Sequence, residues 1–142
     1  MSFGKRKPAT GMTGGVKRKR RPKAPSKVLW ELCRKIIRKR YPPTCYTCGK
    51  TGLEGSNLHT GHFIPKSICS TELKYSLDNL RPQCYHCNIN LSGNWPAFER
   101  HLEEEMGKGY VAELKERNQL SKGISYGSSW FTQTIAEYEN MV

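Results

Sequence analysis

The sequence predicts a small α+β domain in which helices flank a short extended segment, preceded by a flexible basic arm. Three observations favour this class. The chain has 142 residues, which suits a single domain. Five stretches have the apolar spacing or the composition of helices, whereas one short stretch has that of a strand. Two C-x2-C pairs bracket the region that contains this strand.

Positive charge is concentrated at the N-terminus, although the net charge of the whole chain is +12. Residues 1–40 contain 15 of the 24 lysines and arginines and one acid, Glu31, and therefore carry +14. Residues 41–142 carry −2. Because residues 1–26 offer almost no apolar surface to bury, we predict a disordered basic arm there and a folded domain over residues 27–142.

The arm and the helix after it are predicted to bind nucleic-acid phosphates, because each neutralised phosphate releases condensed counterions. The predicted contacts are Lys17, Arg18, Lys19, Arg20, Arg21, Arg34, Lys35 and Arg38. A merely solvated tail is the alternative interpretation. Attraction to a membrane surface is disfavoured, because the arm lacks bulky apolar anchors.

The first predicted helix covers residues 27–40, with Ser26 as its N-cap and Tyr41 at its end. Its apolar side chains recur at helical spacing and would face the core as one stripe. They are Leu29, Leu32, Cys33, Ile36 and Ile37. Cys33 is therefore expected to be buried as an apolar side chain.

One strand and four further helices complete the predicted fold. The strand is expected within residues 58–64, before Pro65, and irregular chain is expected over residues 67–83. The further helices are predicted at residues 84–91, 96–106, 110–120 and 130–138. The acidic triplet at residues 103–105 is expected to form a solvated helix face.

The two C-x2-C pairs predict a metal site. Cys45 and Cys48 form the first pair, Cys84 and Cys87 form the second, and 35 residues separate the pairs. Four thiolates in two such knuckles match a closed tetrahedral Zn²⁺ site, and Gly49 suits the tight turn after the first knuckle. One pair alone could be a redox pair. Two pairs in a small chain favour structural zinc, whose binding would also stabilise a loop-rich domain.

Other sequence signals concern the compartment. No apolar run approaches the roughly 18 residues of a membrane helix. The basic N-terminus is not followed by the apolar stretch of a secretory signal. We therefore expect a cytoplasmic protein without a membrane partner, in which cysteines stay reduced. Cys69 has no assigned role.

The segment between the two pairs contains polar residues that suit hydrolytic chemistry. His59, Gly61 and His62 lie on the predicted strand, Asn79 follows later, and Asn88 comes directly after the second pair. A neutral imidazole can take a proton from water near pH 7. Each residue taken alone would more often be structural, as a packed histidine, a turn asparagine or a residue at a helix start.

Taken together, these residues resemble the HNH, or ββα-metal, nuclease motif. More specifically, the chain resembles the phage lambda NinG (Rap) recombination endonuclease family over residues 27–138. The shared motifs are Cys45-x2-Cys48-Gly49, Gly61-His62, Asn79-Leu80, Cys84-x2-Cys87-Asn88 and Ser92-Gly93-Asn94. The resemblance implies a treble-clef, ββα-metal core in which zinc holds strand and helix in register.

The resemblance also implies a role for each site residue. His62 would be the general base, Asn79 would orient the loop and hold His62, and Asn88 would ligate a catalytic Mg²⁺ or Mn²⁺. Many members of the wider class place Asp or His directly before the base, whereas this chain has Gly61. The second metal ligand must then be another side chain, a backbone oxygen or water, and His59 is one candidate.

The implied function is that of a phage DNA endonuclease, which would cleave Holliday junctions or D-loops in the bacterial host cytoplasm. Because resolving a junction takes two cuts, a homodimer would suit this task. The alternatives are a general HNH nicking endonuclease and a non-catalytic zinc module that binds nucleic acid. A zinc nucleobase deaminase is excluded, because neither His59 nor His62 is followed two residues later by Glu.

Overall fold

The computed structural model describes residue 15 and residues 17–142. Residues 17–24 are exposed and adopt neither helix nor strand. Residues 1–14 and 16 of the predicted arm lie outside the described residues. Within the part of the chain that is described, no helix is both long enough and apolar enough to span a bilayer.

Helices together with a small sheet confirm the α+β class. The helices are α1 (Pro25–Arg40), α2 (Thr71–Lys74), α3 (Trp95–Met106), α4 (Tyr110–Ser121) and α5 (Ser128–Glu139). The strands are β1 (His59–His62) and β2 (Leu80–Gln83). Each strand follows a single 3₁₀ turn, at Gly55–Asn57 and Leu77–Asn79 respectively, and a π-helical segment, His86–Asn90, comes after β2.

The two strands pair antiparallel and hold the site histidines in place. Gly61 lies opposite Arg81, and His62 lies opposite Leu80. A two-stranded sheet is only marginally stable by itself in water. Here all four residues of β2 are buried, and the strand packs against α1. The strand predicted within residues 58–64 is confirmed in a shorter form.

Helix α1 buries the predicted apolar stripe but begins two residues earlier than predicted. All five stripe residues are buried, including Cys33. The N-cap residue is Ala24, so the prediction of Ser26 is wrong. Pro25 occupies the first turn, where its fixed φ suits a helix and its missing N–H costs no hydrogen bond. Helix α5 packs along α1.

Residues 67–83 are more regular than predicted. Ser70 caps α2, since its Oγ accepts a hydrogen bond from Leu73 N at 3.2 Å. Strand β2 follows, and because all four of its residues are buried, its sequence lacks the alternation of a half-exposed strand. Pro82 also argues against a strand in the sequence, because proline is tolerated in a sheet only where no backbone donor is needed.

The helix predicted over residues 84–91 is instead a π-helical segment. Leu91 N donates to His86 O at 2.9 Å, which is the i→i+5 spacing. This wider turn carries Cys87, which is buried, and Asn88, which is partly exposed. Segments of this kind are rare in proteins and are found mostly at functional sites.

The helices after residue 94 form the other half of the core. Helices α3, α4 and α5 match the predicted ones to within two residues at each end. Phe63, next to β1, packs with Phe98 of α3 and Leu114 of α4. The acidic face of α3 is not wholly solvated as expected, because Glu105 accepts a hydrogen bond from the buried Arg81 at 3.2 Å.

Candidate functional site

The structure brings the four paired cysteines together, as their spacing predicts. All four sulfur atoms lie within 4.8 Å of one another, and the Sγ atoms of Cys48 and Cys84 are 3.8 Å apart. A tetrahedral site with Zn–S bonds of about 2.3 Å separates its sulfurs by about 3.8 Å. The cluster can therefore hold a metal ion such as zinc.

Hydrogen-bond donors point at the sulfur atoms of this cluster. Cys87 N donates to the sulfur of Cys84 at 3.4 Å, and Asn94 Nδ2 donates to the sulfur of Cys87 at 3.7 Å. Burial raises the pKa of Cys45, but the Thr47 hydroxyl and backbone amides outweigh it and lower this pKa to about 6. At Cys45 the donors therefore favour the thiolate, which is the form that binds metal.

The cysteine cluster fixes the elements that carry the other site residues. Strand β2 runs directly into Cys84, and the π-helical segment starts two residues later. Leu53 packs against Cys45, Cys84 and Cys87 as a small core of its own. A metal ion in the cluster would therefore hold Asn88 at a fixed position beyond the end of the sheet.

His62, the last residue of β1, is held in one orientation and one tautomer. Its Nε2 lies 2.9 Å from Lys74 O. Because a carbonyl oxygen only accepts, Nε2 carries the proton and Nδ1 is the basic nitrogen. The indole of Trp30 stacks on the imidazole, with ring centroids 5.1 Å apart and planes 10° from parallel.

The surroundings of His62 keep its imidazole neutral. Burial is the largest cause, and the charges of Lys66 and Lys74 add to it, so that the pKa of His62 falls to about 4. At pH 7 the imidazole is therefore neutral, with its one proton on Nε2. Nδ1 makes no hydrogen bond to the described residues, so its lone pair is free to accept a proton from water.

Asn79 is fully buried and organises the backbone around His62, and none of its hydrogen bonds goes to the His62 ring. Its Oδ1 accepts from Ile64 N at 2.8 Å, and its Nδ2 donates to Ile64 O and to Leu73 O, each at 3.2 Å. It thereby ties the loop after β1 to the end of α2. That end supplies Lys74 O, the acceptor that orients His62.

His59 and Asn88 form a direct pair. His59 Nε2 donates to Ser56 O at 2.8 Å, so its Nδ1 is unprotonated and accepts from Asn88 Nδ2 at 2.9 Å. The two residues predicted to bind the catalytic cation, Asn88 and His59, are therefore neighbours. Asn88 is partly exposed, and both residues line a cleft of about 310 Å³ together with Arg34.

A second cleft joins this pair to His62. It has a volume of about 440 Å³ and is lined by Trp30, Thr60, His62, Lys66 and Asn88, among others. The two clefts share three lining residues, Trp30, Thr60 and Asn88. They therefore form one continuous groove, called here the His62 groove.

Gly61 lies on the face of β1 opposite to that of His62, because successive residues of a strand face opposite sides of the sheet. A Cβ atom at this position would lie 1.9 Å from Oε1 of Gln83. Gln83 is fully buried and is fixed by its Nε2, which donates to Gly93 O at 2.8 Å and to Thr47 Oγ1 at 3.1 Å. A metal-binding side chain at position 61 is thus excluded by the packing.

The predicted phosphate contacts divide into two groups. Lys17 to Arg21 are exposed and lie in neither helix nor strand. Arg34, Lys35 and Arg38 share one exposed face of α1, and Arg34 also borders the His62 groove. The second group therefore places positive charge beside the candidate site.

Four residues of the site went unrecognised in the sequence. Trp30, Thr60 and Lys66 line the groove, and Gln83 excludes a side chain at position 61. Of these four residues, only Trp30 could have been linked to the site from the sequence, because it lies four residues before Arg34 and so shares a helix face with it. The other three depend on long-range packing that no local pattern reveals.

The other two histidines are outside the groove. His101 on α3 has its Nδ1 within hydrogen-bond distance of Tyr46 O, which is the structural role expected for it. His86 is exposed in the π-helical segment, with Nδ1 3.2 Å from Asn90 Nδ2. Cys69 is half-buried and packs at the edge of the core.

The sequence model of a protein family, described as Bacteriophage Lambda NinG protein, matches residues 15–139. No curated protein and no solved structure gives a significant match. The matched region contains both cysteine pairs and the whole His62 groove. Kinship with HNH nucleases and the treble-clef description stay predictions. The chain belongs to the bacteriophage lambda NinG protein family.

Proposed function

We propose that this protein is a metal-dependent DNA endonuclease, which hydrolyses phosphodiester bonds in branched recombination intermediates of a phage such as Holliday junctions and D-loops. The observation that carries the proposal is His62. Its ring lines an open groove, its Nε2 is fixed on Lys74 O, and its Nδ1 is left unprotonated. A phage protein of this kind would work in the cytoplasm of the bacterial host.

In this mechanism His62 takes a proton from the attacking water through Nδ1. The low pKa of His62 keeps the base available in the free protein. An anionic phosphate in the groove would raise that pKa, because a negative charge nearby favours the imidazolium. Substrate binding thus makes His62 a stronger base at the moment when it is needed.

The pair of His59 and Asn88 fits a divalent cation. Rotating the Asn88 amide by 180° would place Oδ1 where Nδ2 lies and turn a lone pair toward a cation beside His59 Nδ1. Two acceptors would then be 2.9 Å apart. Neighbouring ligands of an octahedral Mg²⁺ are separated by about 2.9 Å. A bound Mg²⁺ or Mn²⁺ would neutralise charge that develops on the phosphate.

The cysteine cluster would hold structural zinc in the same proposal. Its four sulfur ligands leave no open coordination position for water or substrate. Its contribution is the placement of β2 and Asn88. Asn79 acts in a comparable way on His62, through the backbone of α2.

The experiment that tests the proposal is a cleavage assay with Mg²⁺ or Mn²⁺ on linear, nicked, Y-form and four-way DNA. We expect cleavage that requires the cation and is fastest on the branched forms. Equal cleavage of linear duplex would identify a general nicking endonuclease. Binding without cleavage of any form, with either cation, would identify a non-catalytic zinc module.

A further inference from the structure

A further cleft, separate from the two that form the His62 groove and mainly apolar, adjoins that groove. It has a volume of about 430 Å³ and shares Pro65 and Ser92 with the groove. The buried Phe63 forms part of its lining. On its walls stand Ile68, which is 57% exposed, and Trp95, which is 60% exposed. We call it the Trp95 cleft.

The exposure of Trp95 points to a ligand. Trp95 lies in the first turn of α3, where its indole is largely open to solvent and takes no part in the three core clusters of the described residues. Large apolar side chains exposed together around a concave surface mark binding sites. A flat aromatic face of this kind can stack on a nucleobase whatever its identity.

The positive charge around the Trp95 cleft favours an anionic ligand. Lys115 of α4 and Lys122, the residue directly after α4, line it, and no Asp or Glu is among the described residues that do so. Lys115 lies 3.7 Å from Glu99, in an exposed and therefore weak ion pair. In a two-fold dimer across this cleft the same lysines would face each other, which disfavours a second copy as the occupant.

A polar donor is also available inside the Trp95 cleft. Asn118 of α4 is 5% exposed, and its Oδ1 is occupied by Ser70 N at 2.7 Å. Its Nδ2 makes no hydrogen bond to the described residues, and the side chain lines the cleft. An amide N–H in this position can donate to the edge of a base that lies against the indole.

We propose that the Trp95 cleft binds an unpaired nucleotide of the DNA whose phosphodiester lies in the His62 groove. The base stacks on Trp95, and Lys115 and Lys122 contact the neighbouring phosphates. Base-paired duplex keeps its bases inside the stack, so only DNA with unpaired nucleotides fills both sites. This inference rests on the proposed function and supplies the origin of a preference for those branched DNAs that contain unpaired nucleotides, such as D-loops and Y-forms.

Binding measured without added Mg²⁺ or Mn²⁺ tests the Trp95 cleft separately from cleavage. Fluorescence anisotropy compares a Y-form DNA, which has unpaired arms, with a duplex of the same sequence, on the full chain with its zinc retained. Trp95→Ala should weaken Y-form binding by about 5- to 160-fold, the value of one stacked base. Duplex binding should stay within about twofold.

Two further variants sharpen the result. Trp95→Phe should restore much of the Y-form affinity, because an aromatic face is retained. Leu120→Ala is the matched control: Leu120 is an apolar residue of α4, 72% exposed and outside the cleft lining. It should leave both affinities unchanged.

Three outcomes would overturn the proposal. The first is equal loss of affinity for both DNAs on Trp95→Ala, and the second is no loss for either. The third is a dimer that Trp95→Ala converts to a monomer in sedimentation, which would assign the cleft to a second copy of the chain. A protein that cleaves no DNA can still pass this test, so failure of the nuclease proposal is a separate result.

Discussion

The cysteine cluster and the His62 groove are assembled in different ways. The cluster joins two local units, each with ligands three residues apart in the chain. The groove instead collects Trp30 from α1, His62 from β1, Lys66 from the loop after it and Asn88 from the π-helical segment. The cluster therefore depends mainly on local spacing, whereas the groove depends on several elements packing in register. Substitutions in the cluster should therefore affect mainly folding, whereas substitutions in the groove should affect mainly cleavage.

The largest expected effect comes from the cluster. Cys87→Ser should lose the metal ion and most of the fold, because structural zinc contributes about 10–16 kcal/mol. That is as large as the whole stability of a typical domain, about 5–15 kcal/mol. Elemental analysis and thermal unfolding followed by circular dichroism measure both losses. Cys69→Ser is the control and should keep metal and fold. A folded Cys87→Ser protein without metal would contradict the prediction.

Removal of the general base His62 should slow cleavage strongly without unfolding the protein. His62→Ala should slow cleavage by on the order of 10² to 10⁴, the range for general base catalysis. Its zinc content and DNA affinity should stay close to those of the wild type, since the base acts in the reaction step. Single-turnover rates measure the effect, with His86→Ala as the control. Cleavage by His62→Ala at the wild-type rate would refute the role of His62.

Removal of the cation ligand should be a milder and reversible defect. Asn88→Ala should raise the Mg²⁺ or Mn²⁺ concentration for half-maximal cleavage by at least about tenfold. Excess cation should restore part of its rate, whereas it should not restore His62→Ala. Asn90→Ala lies in the same π-helical segment and serves as the control. An unchanged cation requirement in Asn88→Ala would remove Asn88 from the metal site.

The smallest effect is expected at the wall of the groove. Trp30→Ala should open His62 to water and raise its pKa from about 4 towards 6.5, because burial is the main cause of the low value. The kcat/KM should then fall between pH 5 and about 6.5 but stay near wild type at pH 8. Trp30→Phe should retain the wild-type pH profile. A uniform loss at every pH would indicate a role in binding alone.

The same pKa links folding to pH. His62 takes up a proton near pH 6.5 when unfolded, but only near pH 4 in the folded protein. Between these values the unfolded chain binds more protons, so the free energy of unfolding decreases as the pH drops. The contribution of His62 is present in full above pH 6.5. Denaturant unfolding at several pH values, compared with Trp30→Ala, measures this dependence.

Local patterns in the sequence predicted much of this molecule. The stripe of α1, the three helices from α3 onwards and the meeting of the two cysteine pairs all follow from spacing within short segments. Strand β2 escaped prediction because it is buried on both faces and contains Pro82. The contacts of Asn79 with Ile64 and Leu73 also link residues distant in sequence, so only the fold reveals which backbone it holds.

The close packing of Gly61 and Gln83 constrains how this family can vary. Any side chain at position 61 would collide with Gln83 Oε1, and Gln83 is held in place by Gly93 and Thr47. A glycine-to-alanine change is therefore harmful in this background but tolerable once position 83 carries a shorter residue. If the change at position 83 comes first, the protein that carries only that change can still fold. If the change at position 61 comes first, the protein that carries only that change is destabilised. Relatives should accordingly change these two positions together or keep both.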